Sequence, residues 1–279
     1  MILGLFTLSV LYPLIFVISA SLSSAEAINR GDVILWPVGF TLDAYQTVVD
    51  SPQLMLGFAN SLLYTFGGAL IGTALTLMAG YALSRKDLPF NRTITFFFLV
   101  PTLFAAGIIP TYLVVRELGL LDTRWAVILP GVMSVFNLII TRTFYRMNVP
   151  DELLEAARLD GASDLQFFRK VALPLSTAII AVNLLFYGLA QWNGWFNAFL
   201  YLQDSDLYPL QLVLREILAQ SVVNPADIGG GDIAEMMRRK ELFDKLKYAL
   251  IVVAMVPPLI AYPFVQKHFV RGALIGSIK

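Results

Sequence analysis

Residues 150–174 read PDELLEAARLDGASDLQFFRKVALP, and within them Glu155-Ala156-Ala157, Gly161, Val171 and Leu173-Pro174 stand at fixed spacing. Five acids and five bases fall between Arg142 and Lys170. Apolar segments long enough to cross a bilayer lie on both sides. Pro150-Asp151-Glu152 predicts a helix start, with proline in the first turn and acids at the positive end of the helix dipole. Pro150, Leu153 and Ala157 are expected on one face, and Glu152, Glu155 and Arg158 on another. Gly161 is expected to end this helix, because a glycine has no Cβ penalty at positive φ. Ser163-x-x-Gln166 has capping-box spacing for a second short helix. That helix is expected to run to about Val171 and stop before Pro174. Two short helices with a sharp bend, small residues at the bend and a charged rim make a docking surface. A solvated connecting loop is the plainer alternative for any charged helix of this length.

The rest of the chain sets the context. Of 279 residues, 57% are hydrophobic and 14% charged, with mean hydropathy +0.71. Soluble domains carry about 25% charged residues, so the composition is that of an all-α polytopic membrane protein. The formal charge is zero, which argues against a nucleic-acid partner. With no cysteine and His268 alone, neither a disulfide framework nor a histidine- or cysteine-rich metal site is expected. Six spans are predicted, at about 1–22, 58–84, 93–115, 125–141, 175–201 and 248–266, with internal prolines tolerated. The first starts without a basic flank, so a short cytoplasmic leader is expected ahead of Met1.

Lysine and arginine set the orientation. Arg85, Lys86, Arg92, Arg142, Arg146, Arg158, Arg169, Lys170, Lys267, Arg271 and Lys279 fall on one side, against Arg30, Arg116 and Arg124 in the short loops of the other. Both termini and the 146–174 loop are therefore expected in the cytoplasm. Segments 23–57 and 202–247 face outward, either as a surface for a solute-binding protein or as solvated loops. No Asp, Glu, Lys, Arg or His falls inside the apolar part of a predicted span. Proton- and ion-driven carriers place such residues there, so the energy for any transport is expected from another chain.

The 155–174 pattern resembles the EAA signature of permease subunits of binding-protein-dependent ABC importers: Glu-Ala-Ala, three residues, Gly, nine residues, Ile-x-Leu-Pro. Val171 replaces the isoleucine. The resemblance covers essentially the whole chain and is nearest the carbohydrate branch, the maltose-type second permease. Asn60-Ser61, Trp192-Asn193 and the tail from Pro263 to Gly272 carry it further. Gly31-Asp32-Val33-Ile34-Leu35-Trp36-Pro37 and Tyr208-Pro209-Leu210-Gln211 resemble a subgroup for complex oligosaccharides, including alginate importers.

The resemblance implies a type I importer transmembrane fold in the bacterial inner membrane, with no catalytic or metal site on this chain. It implies a second homologous permease in a heterodimer, two ATPase subunits holding ATP and Mg, and an extracytoplasmic binding protein. Glu155, Ala156, Ala157, Gly161, Leu173 and Pro174 would form the coupling loop, with Arg158 and Asp160 at its rim. The tail from Lys267 would also reach the ATPase. Along the fifth span, Tyr187, Gln191, Trp192, Asn193, Trp195 and Asn197 are candidates for a sugar path, since aromatic faces stack on sugars and amides bond hydroxyls. The plainer reading is that the amides make interhelical hydrogen bonds and the tryptophans sit in an interfacial aromatic belt. Leu207–Leu218 reads as an amphipathic helix dipping inward or as a surface helix. Gly229-Gly230-Gly231 reads as a turn and not a phosphate loop, since no Gly-Lys-Ser/Thr follows. An ATP-independent secondary transporter or channel is the alternative function, disfavoured by the uncharged spans.

Overall fold

The computed structural model describes residues 2–220 and 246–263. The Gly229-Gly230-Gly231 turn, His268, the motif residues after Pro263 and the basic tail from Lys267 lie outside the described residues. All regular structure among the described residues is helical. In chain order it comprises α1 (Ile2–Ser21), α2 (Ala25–Arg30), α3 (Asp43–Asp50), α4 (Pro52–Ser84), α5 (Asn91–Leu103), α6 (Ile108–Glu117), α7 (Arg124–Ile128) and α8 (Val135–Asn148). The chain continues through α9 (Asp151–Leu159), α10 (Asp164–Phe167), a π-turn (Phe168–Ala172), α11 (Leu173–Leu175), α12 (Thr177–Trp192), α13 (Phe196–Tyr201), a 3-10 turn (Ser205–Leu207) and α14 (Leu210–Gln220). The last helix is α15 (Leu246–Pro263). Contacts divide the chain into two units, 1–61 with 204–259 and 62–203 with 260–279.

Three helices, α1, α4 and α15, are each long and apolar enough to cross a membrane. Two further stretches reach that length only as bent pairs, α5 with α6 at 118° and Asp164–Leu175 with α12 at 80°. Thus the expected span at 93–115 is a helix, a break and a second helix. Phe104 closes α5 by donating to the Val100 carbonyl, and Gly107 turns the chain at φ 85°. Pro110 falls in the first turn of α6, where its missing N–H removes no helical bond. The expected span at 125–141 is likewise interrupted. Gly131 at φ 80° follows Pro130, and Ser134 starts α8 by accepting from the Asn137 N–H.

In the first unit, a serine ladder at the end of α1 holds the segment that follows. Ser19 Oγ donates to the Leu35 carbonyl at 2.6 Å, Val38 N–H donates to Ser23 Oγ at 3.0 Å, and Ser21 pairs with the Tyr45 hydroxyl at 2.7 Å. Asn60 and Ser61 receive the start of α14. Asn60 Nδ2 donates to the Asp206 and Tyr208 carbonyls, and Leu210 N–H donates to Ser61 Oγ at 2.8 Å. Gly57 permits this approach, since a Cβ there would lie 3.2 Å from Val213. Leu210, Leu212, Val213 and Leu214 are all buried, so α14 packs one face into its unit, while Arg215, Leu218 and Ala219 on the other are exposed.

In the second unit, α4, α8 and α12 close on one another through glycines and hydroxyls. Cβ atoms added at Gly72 and Gly80 would lie 2.5 Å from the Val132 carbonyl and 2.7 Å from Thr141 Cγ2. The Tyr187 hydroxyl accepts from Ser134 N–H at 2.9 Å and pairs with Thr76 Oγ1 at 2.6 Å, tying α12 to the break before α8 and to α4. Asn183 donates to Thr141 Oγ1 at 2.8 Å. Gly72→Ala is expected to destabilise the protein by about 1–3 kcal/mol, the usual range for overpacking against atoms that cannot yield. Gly4→Ala meets nothing within 4 Å and should change stability by less than about 0.5 kcal/mol. Thermal unfolding midpoints in detergent, compared for the two variants, check this.

Candidate functional site: a braced knuckle and a neutral pocket

The 150–176 segment folds as a knuckle whose bends each have a local cause. Pro150 opens α9 with acids in its first turn. Gly161, at φ 78°, closes it. Ala162 N–H donates to the Ala157 carbonyl and Gly161 N–H to the Arg158 carbonyl, the Schellman pattern in which a glycine takes the left-handed position. Ser163 and Gln166 form the reciprocal capping box of α10. The next bend falls later than the sequence predicts. Helix continues through Pro174, because the chain widens into a π-turn over Phe168–Ala172 and needs no N–H from the proline in an ordinary ladder. The 80° turn comes at Ser176, whose buried hydroxyl donates to the Ala172 carbonyl at 2.5 Å.

Leu154, Phe167, Ala172 and Ile179 enter a core with Leu77, Tyr145 and Val149. Tyr81 sits among these rings, 5.0 Å from Phe168 and 5.5 Å edge-on from Tyr145. The inward face of α9 therefore runs through Leu154, 1% exposed, with Ala157 packed beside it, and not through Leu153, 42% exposed. The reason is tertiary: only the 154/157 pair faces Tyr145 and Phe167. Leu159 and Leu165, 90% and 66% exposed, stand outward beside exposed Glu155, Ala156, Asp160 and Gly161. Among the described residues no ion pair or hydrogen bond holds the Glu155 carboxylate. Leu173 is half-buried against the core and Pro174 is exposed.

An ionic brace fastens the knuckle to the turn after α4. Arg158 donates to Asp87 at 2.8 Å and to Asp164 at 3.0 Å. Asp151 meets Lys86 at 2.8 Å and Arg85 at 3.5 Å, and Arg85 also meets Asp87 at 3.4 Å. The last carbonyls of α4 are capped by the same neighbourhood: Asn91 donates to Leu83 and Arg85, Arg142 to Leu83 and Arg146 to Ser84. Arg158, expected at the rim, also ties the knuckle to the turn after α4. The Arg85–Lys86–Asp87 turn carries no spacing signal, since Asp87 and Arg158 are 71 residues apart. The hydrogen bond from Arg158 and then the Arg85 charge hold the Asp87 carboxyl below the usual range, against the opposing effect of burial. The hydrogen bond from Lys86 does the same for Asp151.

The sugar-path candidates divide. Gln191, Asn193, Trp195 and Asn197 line a cavity of about 320 Å³ at the break between α12 and α13, opposite Val127, Pro130 and Gly131. Tyr187 and Trp192 are buried and do not line it. The Tyr187 hydroxyl is engaged by Ser134 and Thr76.

Leu154→Ala should cost about 2–5 kcal/mol, as buried leucine truncations do, whereas Leu159→Ala should leave the unfolding midpoint nearly unchanged. Both Asp87 and Asp151 have folded pKa values below their unfolded value of about 3.9. Their stabilisation is therefore complete above that value and is lost as pH falls through the folded values. The gap between wild type and Asp87→Asn, measured as unfolding midpoint, should be constant from about pH 6 to 8 and close only in strong acid.

Residues 72–275 match the family described as binding-protein-dependent transport system inner membrane component. The polygalacturonan/rhamnogalacturonan transport system permease protein YtcP of Bacillus subtilis (strain 168) is 41% identical over 276 residues, covering 99% of this chain and 94% of the relative. Protein LplC of the same strain is 38% identical over 267 residues, covering 96% and 88%. In three dimensions, the crystal structure of a bacterial ABC transporter involved in the import of the acidic polysaccharide alginate contains a chain with TM-score 0.87 and 33% identity, covering 96% of this chain and 94% of that one. The chain belongs to the binding-protein-dependent transport system inner membrane components, as a multi-pass permease with the type I importer fold.

Proposed function

We propose that this permease is the non-catalytic membrane subunit of an ATP-driven carbohydrate importer. It moves an oligosaccharide, handed over by a solute-binding protein, into the cytoplasm by alternating access. The observation that carries this reading is the knuckle. It is a bent, cored and braced projection with apolar residues facing outward and an acid, Glu155, that has no ion-pair partner among the described residues, in a family whose members work with separate partners. Such a surface suits a cleft on another protein.

The partners are two ATPase subunits that carry ATP and Mg, a second homologous permease and an extracytoplasmic binding protein. Both termini and the knuckle lie in the cytoplasm. ATPase closure would move the knuckles, and a lever with a fixed core converts that movement into a change of cavity access. Transport needs contacts that differ between the two states. Those made by Glu155, Ala156, Asp160 and Gly161 with the ATPase are the proposed source.

The relative at 41% identity is named for polygalacturonan and rhamnogalacturonan, and the structural neighbour imports alginate. An acidic, uronate-containing oligosaccharide is accordingly the proposed cargo, with alginate as the specific candidate.

Purified from membranes that contain all subunits, the chain should bring an ATPase with it. Glu155→Lys should leave the amount of folded chain unchanged and reduce sugar-stimulated ATP hydrolysis at least about tenfold, the effect of removing one partly buried charged contact. Undiminished uptake by this variant, or sugar accumulation without nucleotide, would overturn the coupling role. Binding of alginate and galacturonate oligosaccharides to the cognate binding protein decides the cargo.

A further inference from the structure

Helix α1 is uncharged and 20 residues long. At 1.5 Å per residue it spans about 30 Å, the thickness of a bilayer's hydrocarbon layer. Its last turn therefore stands at a lipid–water boundary. Serines gather there, at Ser19, Ser21, Ser23 and Ser24, and Glu26 is the first charge of the chain.

The segment after α2 is tied back to that turn. Ser19 Oγ donates to the Leu35 carbonyl and Val38 N–H donates to Ser23 Oγ. Ser24 N–H donates to the Val38 carbonyl at 3.1 Å, and Thr41 N–H to the Leu22 carbonyl at 3.0 Å. Gly39, at φ 63°, lets the chain close in, since a Cβ there would lie 2.7 Å from Ser24 Oγ. Leu35 and its neighbour Trp36 are thus held at the depth of the last turn of α1, whose end is Ser21.

Residues 33–42 carry no charge, with Asp32 and Asp43 on either side. Val33 turns inward and packs with Ala20 and Ala27, beside Phe16 and Tyr248. Ile34, Leu35, Trp36, Phe40 and Leu42 stay exposed, Trp36 at 79% and Phe40 at 67%. The Trp36 indole N–H makes no hydrogen bond among the described residues, so the ring calls for an apolar bed with a polar partner at its edge. Lipid headgroups over acyl chains supply both, which is why tryptophan gathers at that level. Water alone would leave the apolar patch uncovered. A water-soluble protein approaching from outside meets the parts of the chain that stand beyond this depth.

We propose that residues 34–42 are a lipid anchor: Trp36 and Phe40 lodge at the headgroup–acyl boundary beside the end of α1, and the solute-binding protein docks elsewhere. The contact with lipid rests on α1 crossing the membrane, and its placement in the outer leaflet rests on the orientation proposed above.

The chain has no cysteine, so one introduced into it is unique within it. Trp36→Cys, Phe40→Cys and, as a reference on exposed α3, Asp50→Cys are each given a nitroxide label in the complete importer in proteoliposomes. The wild-type importer taken through the same labelling reports background from the other subunits. Collisions with oxygen and with a water-soluble nickel chelate are measured by spin resonance, with and without the binding protein. The ratio of oxygen to chelate collisions should be about tenfold higher at positions 36 and 40 than at 50, because an apolar probe enters lipid and a polar one stays out. The binding protein should leave it unchanged. A ratio at 36 and 40 equal to that at 50 means a segment in water and would overturn the proposal. So would low access to both probes, or access lost when the binding protein is added, since either means a protein covers the patch.

Co-purification of the ATPase with each variant reports assembly, and if Trp36→Cys fails to assemble, Phe40→Cys carries the test. Labelling of Asp50→Cys by an impermeant maleimide in intact cells reads the side of the membrane alone. Its failure would overturn the outer-leaflet placement and the orientation behind it, an outcome distinct from a low collision ratio.

Discussion

A bend in an apolar helix leaves carbonyl oxygens without donors, and a hydrocarbon interior offers none. The architecture of this permease follows from how those oxygens are answered. Ser176 donates to the Ala172 carbonyl at the 80° turn. Asn91, Arg142 and Arg146 cover the end of α4. Asn60 takes the carbonyls before α14. At the break before α8 the orphan is a donor, Ser134 N–H, and the Tyr187 hydroxyl accepts it. Each answer comes from a side chain distant in sequence or one turn away, so each bend also fixes a contact.

The knuckle gains its stiffness from this arrangement. Leu154 and Phe167 are sealed against Tyr81 and Tyr145, and burial of such side chains contributes about 1.5–3 kcal/mol each. The ionic brace adds little by itself, because exposed ion pairs are worth about 0–1 kcal/mol. Its importance is directional: Arg158 links Asp87 and Asp164, so α9, α10 and the end of α4 share one set of restraints. Force applied at Leu159 or Glu155 then reaches α4 through both packing and charge.

The pocket follows a different logic. Of its amides, Asn193 donates back to the Leu189 carbonyl one turn earlier in α12, and Asn197 reaches the Pro130 carbonyl at the break between α7 and α8.

The sequence by itself determined the all-helical membrane class, because composition and long apolar runs admit little else. It also determined the knuckle's local turns, since Gly161 and the Ser163–Gln166 pair act through neighbouring backbone alone. Helix continuity was not legible. Whether Pro101, Pro130 or Pro174 interrupts a helix depends on which donors and glycines lie near, and at Pro174 a π-turn carried the helix onward. Which side of α9 turns inward was not legible either: periodicity groups Pro150, Leu153 and Ala157, and only packing against Tyr145 and Phe167 selects Leu154 with Ala157. The Asp87–Arg158 tie and the separation of Tyr187 from Gln191 were likewise decided in three dimensions. Contacts between residues far apart in the chain have no spacing to betray them, and a hydroxyl's role depends on the partner that reaches it.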